Sequence, residues 1–200
     1  MKILLVSDES DPAVWDYYVP GRLEGYDLIL SAGDLEAEYL TFLVTMANVP
    51  LLYVHGNHNT SYDRFPPEGC ECIEDRLVTV NGLRIVGLGG SSVYSGEKHQ
   101  YTERQMQRRI ARLDRAVKKA GGVDIVLTHC PPHGCGDAED FAHRGFDAFL
   151  PMLEKWKPKV LVHGHVHLRY GIPRERQFCG TRVVNAWQRF PLSIDIPNSL

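Results

Sequence analysis

The sequence predicts an α/β fold with a mixed β-sheet, contained in one domain that covers residues 1–200. Short apolar runs that end in polar residues alternate with segments of helical periodicity, as in βαβ units. A hairpin signal interrupts this alternation in the middle of the chain, and further strand patterns follow near its end. The 200 residues, 44% hydrophobic and 24% charged, have the size and composition of one globular domain.

The first third of the chain is predicted to run strand, helix, strand, helix, strand. Continuous apolar runs at Ile3 to Val6, Asp27 to Leu30 and Leu51 to Val54 are typical of strands buried on both faces. Asp11-Pro12 combines a good N-cap residue with proline at the first helical position, which predicts a short helix. Leu35 to Ala47 has apolar residues at i, i+3, i+4 and i+7, which predicts an amphipathic helix.

A predicted hairpin interrupts this alternation. Asn81-Gly82 separates apolar runs at Leu77 to Val80 and Leu83 to Val86, and this dipeptide favours a tight type I′ turn. The glycine- and serine-rich segment from Gly87 to Gly96 is predicted to be a loop.

The second half of the chain returns to helix and strand in alternation. Thr102 and Gln105 have the spacing of a capping box, and the apolar stripe after them predicts a helix that ends near Gly121. Val123 to Leu127 is predicted to be a buried strand, and Cys130 to Arg144 a long loop rich in proline and glycine.

The last quarter of the chain is predicted to contain one helix and several strands. Phe146 to Trp156 has helical periodicity, with Pro151 as a kink or restart. Val160 to Val162 is predicted to be a strand, and Tyr170 to Ile196 a set of antiparallel strands with a turn near Cys179-Gly180.

Charge and hydropathy disfavour two classes of partner. The net charge of −3 gives no electrostatic reason to expect a nucleic-acid partner or an anionic membrane surface. No apolar run approaches the ~18 residues that a membrane-spanning helix needs. The apolar stretch at the N-terminus is also too short for a signal peptide.

Cysteine usage predicts a cytoplasmic protein. Five cysteines without an export signal are typical of reduced thiols. A zinc site is the alternative, but the spacings of Cys70 with Cys72 and of Cys130 with Cys135 differ from common zinc motifs. Ordinary thiols are therefore the favoured interpretation.

The predicted helix after Thr102 carries a basic stripe opposite its apolar stripe. Its members are Arg104, Arg108, Arg112, Arg115 and Lys119. Such a stripe can bind nucleic acid, or it can be a solvated helix face. Because no aromatic residues are interleaved and the net charge is negative, the solvated face is favoured.

Residues able to bind metal or phosphate follow five of the predicted strands. They are Asp8, Asp34, Asn57 with His58, His129, and His165 with His167. A single aspartate after a strand is usually a cap or turn residue, and a single histidine is usually a half-buried side chain. Ligands in α/β proteins bind at the carboxyl ends of the strands, so five such ends together predict one metal site there.

These residues resemble the motifs of the metallophosphoesterases, the calcineurin-like phosphoesterase superfamily. The matching motifs, in order, are Gly33-Asp34, Gly56-Asn57-His58, His129 and Gly164-His165-Val166-His167. The resemblance implies a four-layer αββα sandwich with two mixed β-sheets and the metal site at the carboxyl ends of the strands. It also implies a metal-dependent phosphoesterase that hydrolyses a phosphate mono- or diester by metal-activated hydroxide.

The resemblance also implies a role for each matched residue. One or two divalent ions (Mn²⁺, Zn²⁺, Fe or Co²⁺) would be bound, with Asp34 shared between two sites. Asp8 and His167 would hold the first ion, and His58 would be the catalytic acid that protonates the leaving oxygen. The second site would be completed by Asn57, His129 and His165.

Two positions depart from the family pattern. Ser10 stands where the family has a histidine ligand, and a hydroxyl is a poorer ligand than imidazole. We therefore expect a weakened first site. Glu9 is adjacent but should face the opposite side if the strand continues. Asn59 replaces an acidic residue and removes a possible carboxylate near His58.

The remaining histidines divide into structural and substrate-contact candidates. His55 and His163 precede motif glycines and should face away from the ligands, and His99 is expected to be exposed. The substrate-contact candidates are Asn57, His133, His143 and Arg144.

Two rival functions remain open beside the phosphoesterase. A non-catalytic or weakly active metal-binding scaffold of the same fold is favoured by Ser10, whereas the retained His58 argues against it. A nuclease is disfavoured because nucleases of the family carry additional domains. The sequence leaves the substrate, the native metal and the oligomeric state open.

Overall fold

The computed structural model describes residues 1–196 and contains two large β-sheets packed face to face. The strands are β1 (Lys2–Ser7), β2 (Leu28–Ser31), β3 (Leu51–Tyr53), β4 (Glu71–Cys72), β5 (Leu77–Val80), β6 (Leu83–Leu88), β7 (Ser91–Ser92), β8 (Gln100–Tyr101), β9 (Ile125–Thr128), β10 (Val160–His163), β11 (Glu175–Phe178), β12 (Thr181–Asn185) and β13 (Gln188–Ser193). The α-helices are α1 (Ala37–Ala47), α2 (Glu103–Lys119) and α3 (Phe149–Trp156). Short 3-10 turns lie at Pro12–Val14, Asn59–Asp63 and Leu168–Tyr170.

Both large sheets are mixed, as the resemblance implies. The first has the order β13-β1-β2-β3-β4, in which β13 is antiparallel to β1 and the other neighbours are parallel. The second has the order β11-β12-β10-β9-β6-β5, with antiparallel pairs at its two ends and parallel strands between them. Strands β7 and β8 form a separate small sheet.

The side chains of the strands build the layers. Along β1, Ile3 and Leu5 pack between the two sheets, whereas Leu4 and Val6 pack with α1 on the outer face. Helices α2 and α3 cover the outer face of the second sheet. This alternation explains why a continuous apolar run forms a strand buried on both faces, and it confirms the four-layer αββα arrangement.

Several local predictions are confirmed by the backbone. Asn81 and Gly82 have φ of 49° and 85°, as a type I′ turn requires, and β5 pairs with β6 as a hairpin. The hydroxyl of Thr102 accepts a hydrogen bond from the Gln105 backbone, and the Gln105 side chain completes the capping box at the start of α2. Asp11 caps the turn at Pro12–Val14.

The structure corrects other boundaries. Helix α3 begins at Phe149, so Pro151 lies in its first turn, where a missing N–H costs no hydrogen bond. Strand β6 extends to Leu88, and β7 lies inside the segment predicted to be a loop. The tail is not wholly antiparallel, because β12 pairs in parallel with β10. Strand β13 belongs to the first sheet from Gln188 onward, and the φ of Gln188 is 58°. Residues 197–200 of the predicted domain lie outside the described part.

The basic stripe predicted on α2 lies on the surface of the protein. The five residues of the basic stripe are exposed. Within residues 1–196, no helix is long and apolar enough to cross a membrane.

One arginine of α2, Arg109, is buried on the apolar side of the helix. The side chain of Arg109 is 6% exposed. Its guanidinium donates to Glu74 Oε1 at 2.6 Å, to Asp75 Oδ1 at 2.8 Å and to the Gly89 carbonyl at 2.7 Å. The helix is thereby tied to the segment that connects β4 to β5 and to the end of β6.

We expect Arg109→Met to destabilise the protein by about 3 kcal/mol, because the partly buried Glu74 carboxylate loses its guanidinium partner. Arg108→Met is the matched control, since Arg108 is exposed on the same helix and its loss should change the free energy of unfolding by less than about 0.5 kcal/mol. Urea denaturation of both variants measures the difference. Equal stabilities would show that the buried ion pairs contribute nothing net.

Candidate metal centre

Polar residues from both sheets meet at the carboxyl ends of the strands. Asp8, Asp34 and Asn57 follow β1, β2 and β3 of the first sheet. His129 and His165 follow β9 and β10 of the second sheet. Because the two sheets pack face to face with these ends at one edge, residues far apart in sequence come within contact distance.

Four of these side chains form the centre of the site. Donor atoms of Asp34, His129 and His165 lie within 4.8 Å of one another. His129 Nε2 lies 3.2 Å from Asp34 Oδ2 and 3.0 Å from Asn57 Oδ1. Asn57, His129 and His165 are almost completely buried. Carboxylate oxygen, amide oxygen and imidazole nitrogen therefore converge on one place.

Backbone carbonyls select the tautomers of the two buried imidazoles. His129 Nδ1 lies 2.7 Å from the carbonyl oxygen of Ala32, and His165 Nε2 lies 2.8 Å from that of Ala142. Since a carbonyl can only accept, each of these nitrogens carries the hydrogen. In the neutral rings, Nε2 of His129 and Nδ1 of His165 then carry the lone pairs and could bind a metal ion. Such hydrogen bonds to the far side of a ring are typical of metal-ligating histidine.

Burial and mutual charge shift the ionisation of these groups. Burial raises the pKa of Asp8. Burial also opposes ionisation of Asp34, but the adjacent His129 outweighs it and lowers the pKa of Asp34 to about 2. Burial opposes protonation of His129, but the carboxylates of Asp34 and Asp8 raise its pKa to about 9. Burial, followed by the charge of His129, lowers the pKa of His165 to about 3.

These shifts give the metal-free site a defined charge pattern. A protonated His129 balances the ionised Asp34, and His165 is neutral. The carboxylates of Asp34 and Asp8 thus favour a positive charge where the donor atoms converge, even without a metal ion. Oxygen and imidazole donors of this kind suit divalent transition metal ions, so the residues fit the implied cofactor.

The backbone is strained at the residues that supply these groups. Asp8, Asp34 and His165 have φ of 65°, 57° and 68°, in the left-handed region that non-glycine residues seldom adopt. Gly56 runs so close to Asp34 that a Cβ there would collide with the Asp34 carboxylate. Strained residues cluster at functional sites, where the surrounding structure holds them in place.

Asn59 has a role that its position in the motif did not reveal. Its Oδ1 accepts hydrogen bonds from the backbone N–H groups of Asp34 and Gly56, both at 2.8 Å. Its Nδ2 donates to the Leu35 carbonyl at 3.1 Å. The side chain therefore joins the Asp34 and Asn57 loops.

An open cleft of about 420 Å³ lies beside this centre. Asp8, Ser10, Asp34 and His58 line it. His58 is exposed, and its backbone N–H donates to Asp34 Oδ1 at 2.8 Å, so the residue is anchored at the site through its main chain. Ser10 thus lies at the same cleft as Asp8 and Asp34.

Glu9 also lines this cleft, contrary to the expectation that it faces away. Strand β1 ends at Ser7, and the positive φ of Asp8 turns the chain before Glu9, so strand alternation no longer applies. Glu9 Oε1 lies 3.2 Å from His167 Nδ1 and 3.0 Å from Arg169 Nη2. The predicted ligand His167 therefore has a carboxylate and a guanidinium beside its ring.

The candidate substrate contacts lie in the long loop between β9 and α3. His143 Nδ1 lies 2.9 Å from Asp140 Oδ1, and its ring centroid is 5.2 Å from that of His165. His133 lies 2.6 Å from Asp147, and Arg144 lies 3.6 Å from the same carboxyl group. His143 is thus beside the buried donors, whereas His133 and Arg144 are directed to Asp147.

The other histidines have structural contacts. His163 is buried, and its Nδ1 contacts the Gly164 carbonyl at 2.9 Å. His55 Nδ1 lies 2.9 Å from Glu74 Oε2 and 3.9 Å from Cys72 Sγ. The Glu74 carboxylate also forms an ion pair with the buried Arg109 of α2. His55, Glu74 and Arg109 therefore belong to one ion-pair network. His99 stacks on His55 at 4.5 Å, which corrects the expectation that it is exposed.

Tyr94 is a site residue that the sequence analysis missed. Its hydroxyl accepts a hydrogen bond of 2.8 Å from Asn57 Nδ2, which fixes the orientation of the amide with Oδ1 toward His129. Tyr94 comes from the loop between β7 and β8. A tyrosine in a glycine-rich loop carries no signal of this contact.

Sequence comparison finds relatives whose names indicate a metallophosphoesterase domain or a debranching enzyme. Metallophosphoesterase domain-containing protein 1 of Homo sapiens is 26% identical over an alignment of 186 residues, which covers 73% of this chain and 56% of that protein. The lariat debranching enzyme of Entamoeba histolytica is 26% identical over 166 residues, covering 69% of this chain and 45% of the enzyme. The chain therefore spans about half the length of these curated relatives.

A solved structure and a family model complete the comparison. A crystal structure of a Thermus thermophilus protein superposes with a TM-score of 0.65 at 15% identity, covering 93% of this chain and 88% of that chain. This likeness establishes the shared fold. The family model described as calcineurin-like phosphoesterase matches residues 1–169, which is most of the chain. With the fold, the site residues and this match in agreement, the chain belongs to the calcineurin-like phosphoesterase family.

Proposed function

We propose that this protein is a metal-dependent phosphoesterase that hydrolyses a phosphate mono- or diester. The observation that carries the proposal is the meeting of oxygen and imidazole donors from both sheets beside an open cleft. An exposed histidine, His58, lies at this cleft and is anchored through its backbone. The names of the relatives, which include a lariat debranching enzyme, agree with phosphoester chemistry.

One ion would be held by Asp34, Asn57, His129 and His165. The hydrogen bonds of the two imidazoles to backbone carbonyls support this assignment, because they direct the lone pairs to the shared centre. Binding would release the proton that His129 carries in the metal-free protein.

The other ion would be held at the first site by Asp8, Asp34 and His167, with Ser10 in place of the usual histidine. Bound ions at this edge would act as Lewis acids that activate water and polarise the phosphoryl group. Since Ser10 lines the cleft but offers only a hydroxyl, we propose that this first site is the weaker of the two.

His58 would donate a proton to the leaving oxygen. Its side chain is exposed at the cleft, and the contact that its backbone N–H makes with Asp34 would keep it close to a phosphoryl group bound at the candidate metal centre. Positioned acids of this kind contribute about 10²- to 10⁴-fold to a rate.

Substrate contacts would come from the loops around the centre. Asn57 and His143 are the better supported of the four candidates, because both lie at the buried donors. His133 and Arg144 contact Asp147 and would reach a substrate only from the outer part of the loop. We propose a cytoplasmic location and no nucleic-acid partner, on the reduced thiols and the net charge of −3.

A non-catalytic metal-binding scaffold is the alternative, and Ser10 is the observation that favours it. A chain that keeps one complete donor set but lacks a ligand of the other could bind metal without turnover. Hydrolysis therefore needs a direct test.

We expect the protein to hydrolyse bis(p-nitrophenyl) phosphate or p-nitrophenyl phosphate with at least one of Mn²⁺, Co²⁺, Ni²⁺ and Zn²⁺. His58→Ala should lower kcat by about 10²-fold or more while the bound metal, measured by elemental analysis, stays unchanged. Asp34→Asn is the contrasting variant, since it should lose both metal and activity. Absence of turnover with every metal would favour the scaffold, and an unaffected kcat in His58→Ala would remove His58 from the acid role.

We expect Ser10→His to tighten the first site by at least about tenfold, the scale on which single changes around a metal act. Ser10→Ala is the matched control, because it removes the hydroxyl without supplying a ligand and should leave the affinity nearly unchanged. Isothermal titration of metal-free protein with Mn²⁺ separates the two binding events. If the histidine variant binds like wild type, position 10 does not contribute to the site.

A further inference from the structure

Glu9 occupies an unexpected place beside the predicted first site. Its backbone N–H donates to the Ser7 carbonyl at 2.7 Å, which fixes the turn after β1 and brings the carboxylate to the rim of the cleft. Glu9 Oε1 then lies 3.2 Å from His167 Nδ1, and Gln188 Nε2 lies 3.4 Å from Oε2. Both side chains are partly shielded, at 34% exposed for Glu9 and 22% for His167.

We propose that Glu9 and Arg169 are positioning residues with opposite effects on the first metal site. Glu9 selects the tautomer of His167 that can bind a metal, and Arg169 selects the tautomer that cannot. The inference rests on the proposed metal-dependent function. It states that these two residues set the metal affinity of the weaker, first site.

The opposition follows from hydrogen-bond chemistry at one nitrogen. A neutral imidazole carries a single hydrogen. A carboxylate can only accept, so the contact with Glu9 places the hydrogen on Nδ1 of His167 and leaves the lone pair on Nε2 for a metal ion. A guanidinium can only donate, so the contact of Arg169 Nη2 with the same Nδ1, at 2.6 Å, needs the lone pair there and the hydrogen on Nε2.

The two neighbours are also bound to each other. Arg169 Nη2 lies 3.0 Å from Glu9 Oε1, so the guanidinium contacts both the carboxylate and the ring. The Arg169 side chain is 61% exposed and can turn away into solvent, whereas Glu9 is held on the inner side by Gln188. With Nε2 of His167 as a metal ligand, Nδ1 would carry the hydrogen, so Arg169 would leave Nδ1 and Glu9 would remain as a partner of the ring. The negative charge of Glu9 also adds attraction for a cation at a site that lacks one imidazole ligand.

The test compares Glu9→Ala and Arg169→Met in the full chain. Titration of each metal-free variant with Mn²⁺ should show the first-site affinity falling about 10- to 100-fold in Glu9→Ala and staying equal or rising in Arg169→Met. The affinity of the second site should not change in either variant. His167→Ala identifies which event belongs to the first site, because only that event should disappear. Glu9→Gln, which keeps an acceptor but loses the charge, should fall between wild type and Glu9→Ala.

A second readout is independent of metal and of activity. Nitrogen-15 NMR of the His167 ring in metal-free protein should shift toward hydrogen on Nε2 in Glu9→Ala and toward hydrogen on Nδ1 in Arg169→Met. Equal first-site affinities in wild type and Glu9→Ala, or equal tautomer populations, would overturn the inference. Wild-type protein that binds metal only at the second site would overturn the inference alone. Protein that binds no metal at either site would overturn it together with the proposed function, whereas two bound ions without turnover would overturn the function alone.

Discussion

His129 joins the two sheets at the edge where the site lies, and the geometry of the site depends on this one side chain. It follows β9 of the second sheet, yet its Nδ1 bonds to the Ala32 carbonyl after β2 of the first. Its Nε2 contacts Asp34 and Asn57, which also belong to the first sheet. Apolar packing between the sheets is non-directional, so it brings them together without fixing their offset. Directional contacts at a fully buried imidazole supply that precision, because an unpaired polar group there would be costly.

The two halves of the metal centre differ in their relation to the fold. The donors around His129 are buried and hold the sheets together, so a substitution there would disturb packing as well as chemistry. Glu9 lines the cleft, and both Glu9 and His167 keep contact with solvent. Ser10 lies in this outer half. Position 10 is therefore separate from the buried side chains that join the sheets.

The sequence was sufficient for features that arise from local chemistry or from regular geometry. Apolar runs located the strands, and Asn81-Gly82 located the hairpin. The rule that sites form at the carboxyl ends of strands brought together residues as distant as Asp34 and His165. Side-chain contacts that depend on tertiary packing, such as buried ion pairs, were not predictable from local sequence. Arg109 lies on the apolar side of α2, apart from the exposed basic stripe, but its spacing does not reveal which carboxylates hold it.

The error at Glu9 has a physical cause that applies to strand-end sites in general. Alternation along a strand predicts the direction of a side chain only while the backbone stays extended. Asp8 has a φ of 65°, and this single residue turns Glu9 from the expected outer face into the cleft. The same left-handed conformation at Asp34 and His165 aims their side chains into the site. Functional residues are thus concentrated where the backbone leaves the strand, which is also where extrapolation from the strand pattern fails. The residue beside a strained ligand should therefore be included when the charge around such a site is counted, even where the motif treats it as variable.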